Sequence, residues 1–205
     1  MANSKITLYY FDGKGKAEAA RIVLHAAGKE FTDIQFSEEE WPKYKHLAPF
    51  GQAPFLEIDG VRYSQSLAIK NYLAREFGFY GKTNKEALKI DEVNQLVEDL
   101  TTIAIPVLFN GTEDEIKVAV EKTKKEVSPK FLAFLEKLLK ENGTGYFSGD
   151  SITLADIIVY DVATGMLEKV VDINSSYPLI QKNLELVKSH SKIGPYVTSR
   201  SATAF

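Results

Sequence analysis

Apolar positions divide the chain into two regimes. Residues 5–11 (KITLYYF) are a β-branched and aromatic run that predicts a buried strand. A loop with two glycines follows at 12–15. Ala19, Ile22, Val23 and Ala26 then fall at i, i+3, i+4 and i+7, which predicts one apolar helix face over 17–27, closed by Gly28. Residues 31–36 predict a second strand. Strand, helix and strand at this spacing form a βαβ unit, so the two strands should be parallel. After an acidic-to-basic stretch at 37–47, the apolar runs 54–58 and 61–64 flank Asp59-Gly60, a strong hairpin signal. Residues 66–77 return to helical period, with Ile69, Tyr72 and Leu73 on one side.

The order βαβ, connection, ββα predicts an α/β domain with a mixed four-stranded sheet over residues 1–78. Aperiodic, glycine-bearing sequence marks a linker at 79–84. From 85 to 205 no strand pattern recurs. Residues 85–102 and 113–127 read as helical, and Phe131, Phe134, Leu135, Leu138 and Leu139 trace one amphipathic face. Thr153-Leu-Ala-Asp156 spells a capping box, with Ile152 and Ile157 placed as a hydrophobic staple. The second domain is therefore expected to be all-helical.

Composition removes several chemistries. The 205 residues carry 25 Lys+Arg and 28 Asp+Glu, net −3, too balanced for a nucleic-acid footprint. Cysteine is absent, which excludes disulfides, thiolate metal sites and a protein-borne thiol nucleophile. His25, His46 and His190 are far apart, so no metal is expected. The opening residues lack the apolar stretch of a leader, and the longest apolar run, 103–109, is far short of a membrane span. A cytoplasmic protein without membrane contact is the simplest expectation. The sequons at Asn110, Asn142 and Asn174 then read as unused.

Four blocks occur in order in the first domain: LYYFDGKGKAEAAR, EEEWPKYK, PFGQAPFLEIDG and YSQSLAI. A fifth, GDSITLADIIVYD, lies in the second. Together they resemble the cytosolic glutathione S-transferases, most closely the sigma class. The resemblance implies a thioredoxin-like first domain, a helical second domain, a homodimer, and glutathione as co-substrate. It puts the catalytic tyrosine at Tyr10. Strand alternation agrees that Tyr9 and Tyr10 face opposite sides, so only one can serve. It further implies Trp41 and Lys45 for the glycine carboxylate of glutathione. Gln52, Ala53 and a cis-Pro54 would present backbone to the cysteinyl unit. Gln65 and Ser66, the latter also readable as a helix cap, would hold the γ-glutamyl carboxylate. Asp99 would reach the γ-glutamyl ammonium across a dimer interface.

Two departures stand out. The family's common arginine after the catalytic tyrosine is Lys16, a compact point charge instead of a planar fork. Prostaglandin-isomerising members carry a tryptophan in the helix that here holds Pro106, and Trp41 is the only tryptophan of this chain. The carboxylate cluster that binds a divalent metal in those members is here reduced to Glu98 and Asp99, beside Gln95. The electrophile pocket is assigned to Phe11, Gly15, Thr102, Ile105 and Pro106, with Phe205 a further candidate. The implied activity is conjugation of glutathione to small hydrophobic electrophiles, or hydroperoxide reduction, as in detoxification. Alternatives within the family are glutathione-dependent isomerisation of prostaglandin H2 and a non-catalytic ligand-binding or crystallin-like role.

Overall fold

The computed structural model describes residues 4–200. Phe205 lies outside them. The chain divides into two compact units. One comprises the described residues up to Phe79 together with those from His190 onward, and the other is Tyr80–Ser189. This differs from the expectation of one helical domain from residue 85 to the end. The final helix finds its hydrogen-bond and stacking partners in the first unit, so it leaves the helical unit it follows in sequence.

The first unit runs β1 (Ile6–Phe11), a 3-10 turn (Gly15–Ala17), α1 (Glu18–Ala27), β2 (Thr32–Phe36), α2 (Trp41–Lys45), β3 (Phe55–Ile58), β4 (Val61–Ser64) and α3 (Ser66–Glu76). The sheet order is β2-β1-β3-β4, with β1 parallel to β2 and antiparallel to β3. This is the mixed four-stranded sheet that the pattern predicts. The β3–β4 hairpin turns on Asp59 and Gly60 at φ 50 and 86, the doubly positive geometry of a tight two-residue turn. Asp59 also accepts the Lys5 N–H at 2.8 Å, which holds its carboxyl below the usual range. Ile6, Leu8 and Tyr10 alternate along β1 and are all buried. Gly28 ends α1 in the left-handed region, its N–H returned to the His25 carbonyl.

The short helix α2 is absent from the helical period and buries no residue. Aromatic stacking holds it instead: Trp41 and Tyr44 lie on Phe36, centroids 5.4 and 4.7 Å away. The closing helix of this unit, α9 (Ile193–Ser199), packs on α1.

The second unit contains α4 (Asn84–Phe109), α5 (Glu113–Lys122), α6 (Ser128–Asn142), α7 (Leu154–Thr164) and α8 (Pro178–Lys188). Residues 113–127 are one helix in the sequence reading. In the structure a π-helical turn, Thr123–Val127, joins α5 to α6. Asn142, the middle sequon, turns its amide inward to the Tyr146 and Gly149 carbonyls, at 2.8 and 2.9 Å.

The expected capping box is present, and it does more than cap. Asp156 is fully buried and accepts from Thr153 N (2.8 Å), Thr153 Oγ1 (2.8 Å), Phe147 N (3.0 Å) and Asn183 Nδ2 (2.7 Å). One carboxylate thus ties the α7 start, the preceding loop and α8. The variant Asp156→Ala leaves three buried N–H groups without an acceptor. It should lower the unfolding free energy by about 3 kcal/mol, read by urea denaturation; a loss below about 1 kcal/mol would remove Asp156 from this central role.

Candidate functional site

The site begins with the side chain that β1 delivers to its inner face. Tyr10 is only 8% exposed, and its ring runs beneath the 3-10 turn. A Cβ on Gly15 would sit 2.4 Å from the Tyr10 hydroxyl oxygen, and Gly15 has φ +39. Only glycine meets both conditions. The turn can then lie on the phenol, and the Lys16 N–H donates to the Tyr10 oxygen at 3.1 Å. Tyr9 points the other way. It stacks on Phe55 at 4.3 Å and 7°, and burial, with the nearby Glu57 carboxylate, pushes its phenol pKa up.

A cleft of about 400 Å³ opens beside this turn, lined by Phe11, Lys16, Trp41, Gly51, Gln52, Ala53, Pro54, Gln65 and Ser66. Phe11 stands 5.7 Å from the Trp41 ring, so the strand end and α2 form one aromatic wall. The Ala53–Pro54 peptide is cis. Lys45 is absent from the lining, but its Cε lies 3.8 Å from where a Gly51 Cβ would be, at the cleft's margin. Tyr10 is also absent from the lining; its hydroxyl meets the cleft wall through Lys16. Larger hollows of this unit lie elsewhere and share none of these residues.

The floor is strained. Gln65 has φ 76 and ψ 110, a region that L-residues enter at a cost of about 1–3 kcal/mol. It is the N-cap of α3, without a side-chain cap bond, and Ser66 is the first helical residue. The capping role expected of Ser66 is therefore not what the structure has. What the arrangement presents to the cleft is the start of an eleven-residue helix, a site that favours an anion.

The chain's first part, residues 4–75, matches the glutathione S-transferase N-terminal domain family, and residues 98–200 match the glutathione S-transferase C-terminal domain family. The chain belongs to the glutathione S-transferase family. It is 34% identical over 210 residues to Glutathione S-transferase 3 of Caenorhabditis elegans, covering 100% of each. It is also 34% identical over 202 residues to S-crystallin SL11 of Nototodarus sloanii, covering 97% of this chain and 98% of that one. Among solved structures, the sigma class enzyme of Fasciola hepatica superposes with a TM-score of 0.90 at 29% identity, covering 98% of this chain and 99% of that one.

Within this glutathione S-transferase fold, the remaining residues singled out by sequence stand on α4 of the second unit. Asp99, Thr102 and Pro106 are exposed there and Ile105 is half-buried. Pro106 has no N–H to return to the Thr102 carbonyl, and the Thr102 hydroxyl donates to the Glu98 carbonyl at 2.9 Å. Among the described residues, no group of three or more His, Asp or Glu could hold a metal ion.

Sequence reasoning missed a charged cluster behind Tyr10. Arg21 is fully buried, with its guanidinium 5.8 Å from the Tyr10 ring centroid. It donates to Glu18, Asp33 and the Gly13 carbonyl. Glu18 and Arg21 lie within the GKAEAAR block, one helical turn apart, and that spacing is a signal of pairing. Arg200, which joins the cluster from the far end of the chain, carries no such signal.

The strain at Gln65 is testable. Gln65→Gly accepts the positive φ and should raise stability by about 1 kcal/mol after glycine's own entropy cost, seen as a higher melting temperature. An unchanged or lower melting temperature would mean that the backbone conformation is not strained.

Proposed function

We propose that this protein is a sigma-type glutathione transferase in which the Tyr10 hydroxyl hydrogen-bonds the sulfur of bound glutathione and holds it as a thiolate. The observation that carries this reading is the Tyr10–Lys16 contact at the wall of the Trp41–Ser66 cleft. The phenol oxygen accepts from the Lys16 amide, and its own proton is what it has to donate. A free thiol with pKa about 8.5 is only about a tenth ionised near pH 7.5. One charge-assisted hydrogen bond of about 1.5–3 kcal/mol lowers that pKa by about one to two units. Most of the bound thiol is then the nucleophile. The sulfur attacks an electrophilic carbon, a C–S bond forms, and the leaving group departs with its electron pair. The protein supplies position and charge, which suits a chain with no cysteine of its own.

The cleft wall supports the rest of the tripeptide assignment. Trp41 and Lys45 serve the glycine carboxylate. The Ala53 backbone, flanked by Gln52 and Pro54, pairs with the cysteinyl unit as an added strand does. Gln65, Ser66 and the α3 amides receive the γ-glutamyl carboxylate. Lys16 adds positive charge beside the sulfur.

A homodimer completes the proposal, with Asp99 offered to the γ-glutamyl ammonium of a second copy. Supporting association, Phe50 and Tyr63 are 67% and 50% exposed and border an apolar hollow of about 630 Å³. The S-crystallin relative sets the rival reading, retention of glutathione without turnover. Isomerisation of prostaglandin H2 draws on the same thiolate, and product analysis by mass spectrometry separates it from conjugation.

The decisive experiment is the pH dependence of kcat/KM with a chlorodinitrobenzene substrate for wild type and Tyr10→Phe. The apparent thiol pKa should rise by at least about one unit in the variant. The fold loss of kcat/KM is then greatest below both pKa values, shrinks between them and fades above the higher one. An unchanged profile would transfer the role to Lys16, since Tyr9 is stacked on Phe55 away from the cleft. Trp41 fluorescence should report glutathione binding in both proteins. Asp99→Asn should raise the KM for glutathione about tenfold with kcat little changed, and sedimentation should give the mass of two chains. A monomeric mass would remove Asp99 from the site.

A further inference from the structure

We propose that Arg200 is a positioning residue for the Tyr10 site: it clamps the Gly13 carbonyl and so holds the turn whose Lys16 amide supports the phenol. The inference rests on the role of Tyr10 proposed above and extends it to a residue 190 positions away in sequence.

Two guanidinium groups converge on one backbone carbonyl. Arg21 Nη1 donates to Gly13 O at 2.7 Å, and Arg200 Nη2 donates to the same oxygen at 3.1 Å. Two cations so close need compensation, and Glu18 gives most of it. Its side chain is 4% exposed; Oε2 takes Arg21 Nη1 at 3.0 Å and faces Arg200 Nε at 3.4 Å. Oε1 accepts the Tyr196 hydroxyl at 2.7 Å. Asp33 accepts Arg21 Nε at 2.9 Å. Two arginines therefore meet two carboxylates, and burial together with Glu18 drives the Tyr196 phenol far up, so it stays a donor.

What this cluster grips is short. Gly13 N donates to the Phe11 carbonyl at 2.8 Å, and Asp12 N to the Phe36 carbonyl at 3.0 Å. These bonds tie the entry of the turn to the sheet. The next fixed points are the Gly13 carbonyl, held by both arginines, the Lys14 carbonyl, which Arg21 Nη1 also reaches at 3.4 Å, and the Lys16 amide, held by Tyr10. Gly15 between them has φ +39 and no side chain to restrict it. The two arginine contacts thus replace the stiffness that glycine removes. Charged donors make the stronger hydrogen bonds, and a buried one fixes direction as well as distance.

Arg200 is separable from the docking of its own helix. Tyr196 stacks on His25 at 3.9 Å and 17°, and Lys192 Nζ donates to the Ala27 carbonyl at 3.2 Å. Those contacts hold α9 when the Arg200 side chain is removed, and Arg21 still holds Gly13. The expected result is a looser turn in a folded protein.

The test compares wild type, Arg200→Ala and Arg200→Lys by two readouts. The first is amide hydrogen exchange at Lys16 in the protein without glutathione. It should be about tenfold faster in Arg200→Ala and intermediate in Arg200→Lys, whose ammonium reaches one acceptor, not two. The second is the pH profile of kcat/KM, where the apparent thiol pKa should rise by about half a unit in Arg200→Ala. A merely structural arginine would change the melting temperature and leave both readouts alone. Folded Arg200→Ala with wild-type exchange at Lys16 overturns the inference. If Arg200→Ala does not fold, Arg200→Lys decides: intermediate values support the clamp, and wild-type values in both readouts overturn it. Should Tyr10→Phe leave the pH profile unchanged, the Tyr10 reading fails on its own account, and the exchange arm still decides whether Arg200 holds the turn.

Discussion

The site depends on one close approach, the 3-10 turn lying on the Tyr10 phenol. The turn reaches that position because Gly15 has no Cβ and takes a positive φ. The contact has two consequences. It gives the phenol oxygen an N–H donor from Lys16, and it carries Lys16 into the wall of the cleft. A side chain at position 15 would occupy the place of the hydroxyl itself. The backbone and the proposed catalytic group are thus shaped against each other, and a side chain added at position 15 would displace the phenol.

Around that contact the molecule accepts buried polarity where a loop has to be held. In the first unit, Glu18, Arg21, Asp33 and Arg200 form a mixed charge cluster on the Gly13 carbonyl. Buried ion pairs add little net stability, because desolvation offsets their attraction. Their return here is a fixed direction for a glycine-rich turn. In the second unit Asp156 does comparable work with N–H donors from three separate segments. Elsewhere the cores are mainly apolar: Leu8, Leu24, Phe55 and Leu73 in one unit, Ile90, Phe147, Leu154 and Ile157 in the other.

The sheet and its first helix were legible because their periods are local. Alternation along β1 separates Tyr10 from Tyr9, the 3.6-residue repeat marks α1, and Asp59-Gly60 marks the hairpin. The capping box at Thr153 was legible for the same reason, since its partners lie three residues apart. Helix α2 was not, because it buries nothing and is held by stacking on the Phe36 ring at the end of β2. Ser66 reads as a cap from its neighbours, yet Gln65 takes that place at a strained φ that no local pattern announces. The π-helical turn at Thr123–Val127 likewise interrupts a region whose hydrophobic spacing reads as one helix. The Ser128 hydroxyl at its end bonds the Val170 carbonyl at 2.5 Å, a partner 42 residues away.

By itself the amino-acid sequence determined the order of the four strands with α1 and α3 between and after them, the absence of a protein thiol, and which residues are candidates to serve a borrowed one. Those are properties of short windows and of composition, where neighbouring side chains decide the outcome. Only the tertiary structure decided that Gly15 lies against Tyr10, that Gln65 is strained at the cleft, and that the last helix returns to the first unit. The return of the last helix joins atoms 165 or more residues apart, while the Gly15–Tyr10 approach and the Gln65 φ are backbone conformations that no pattern of side chains spells out. Arg200 and Gly13 meet because the chain closes on itself, and no pattern in either segment specifies the other.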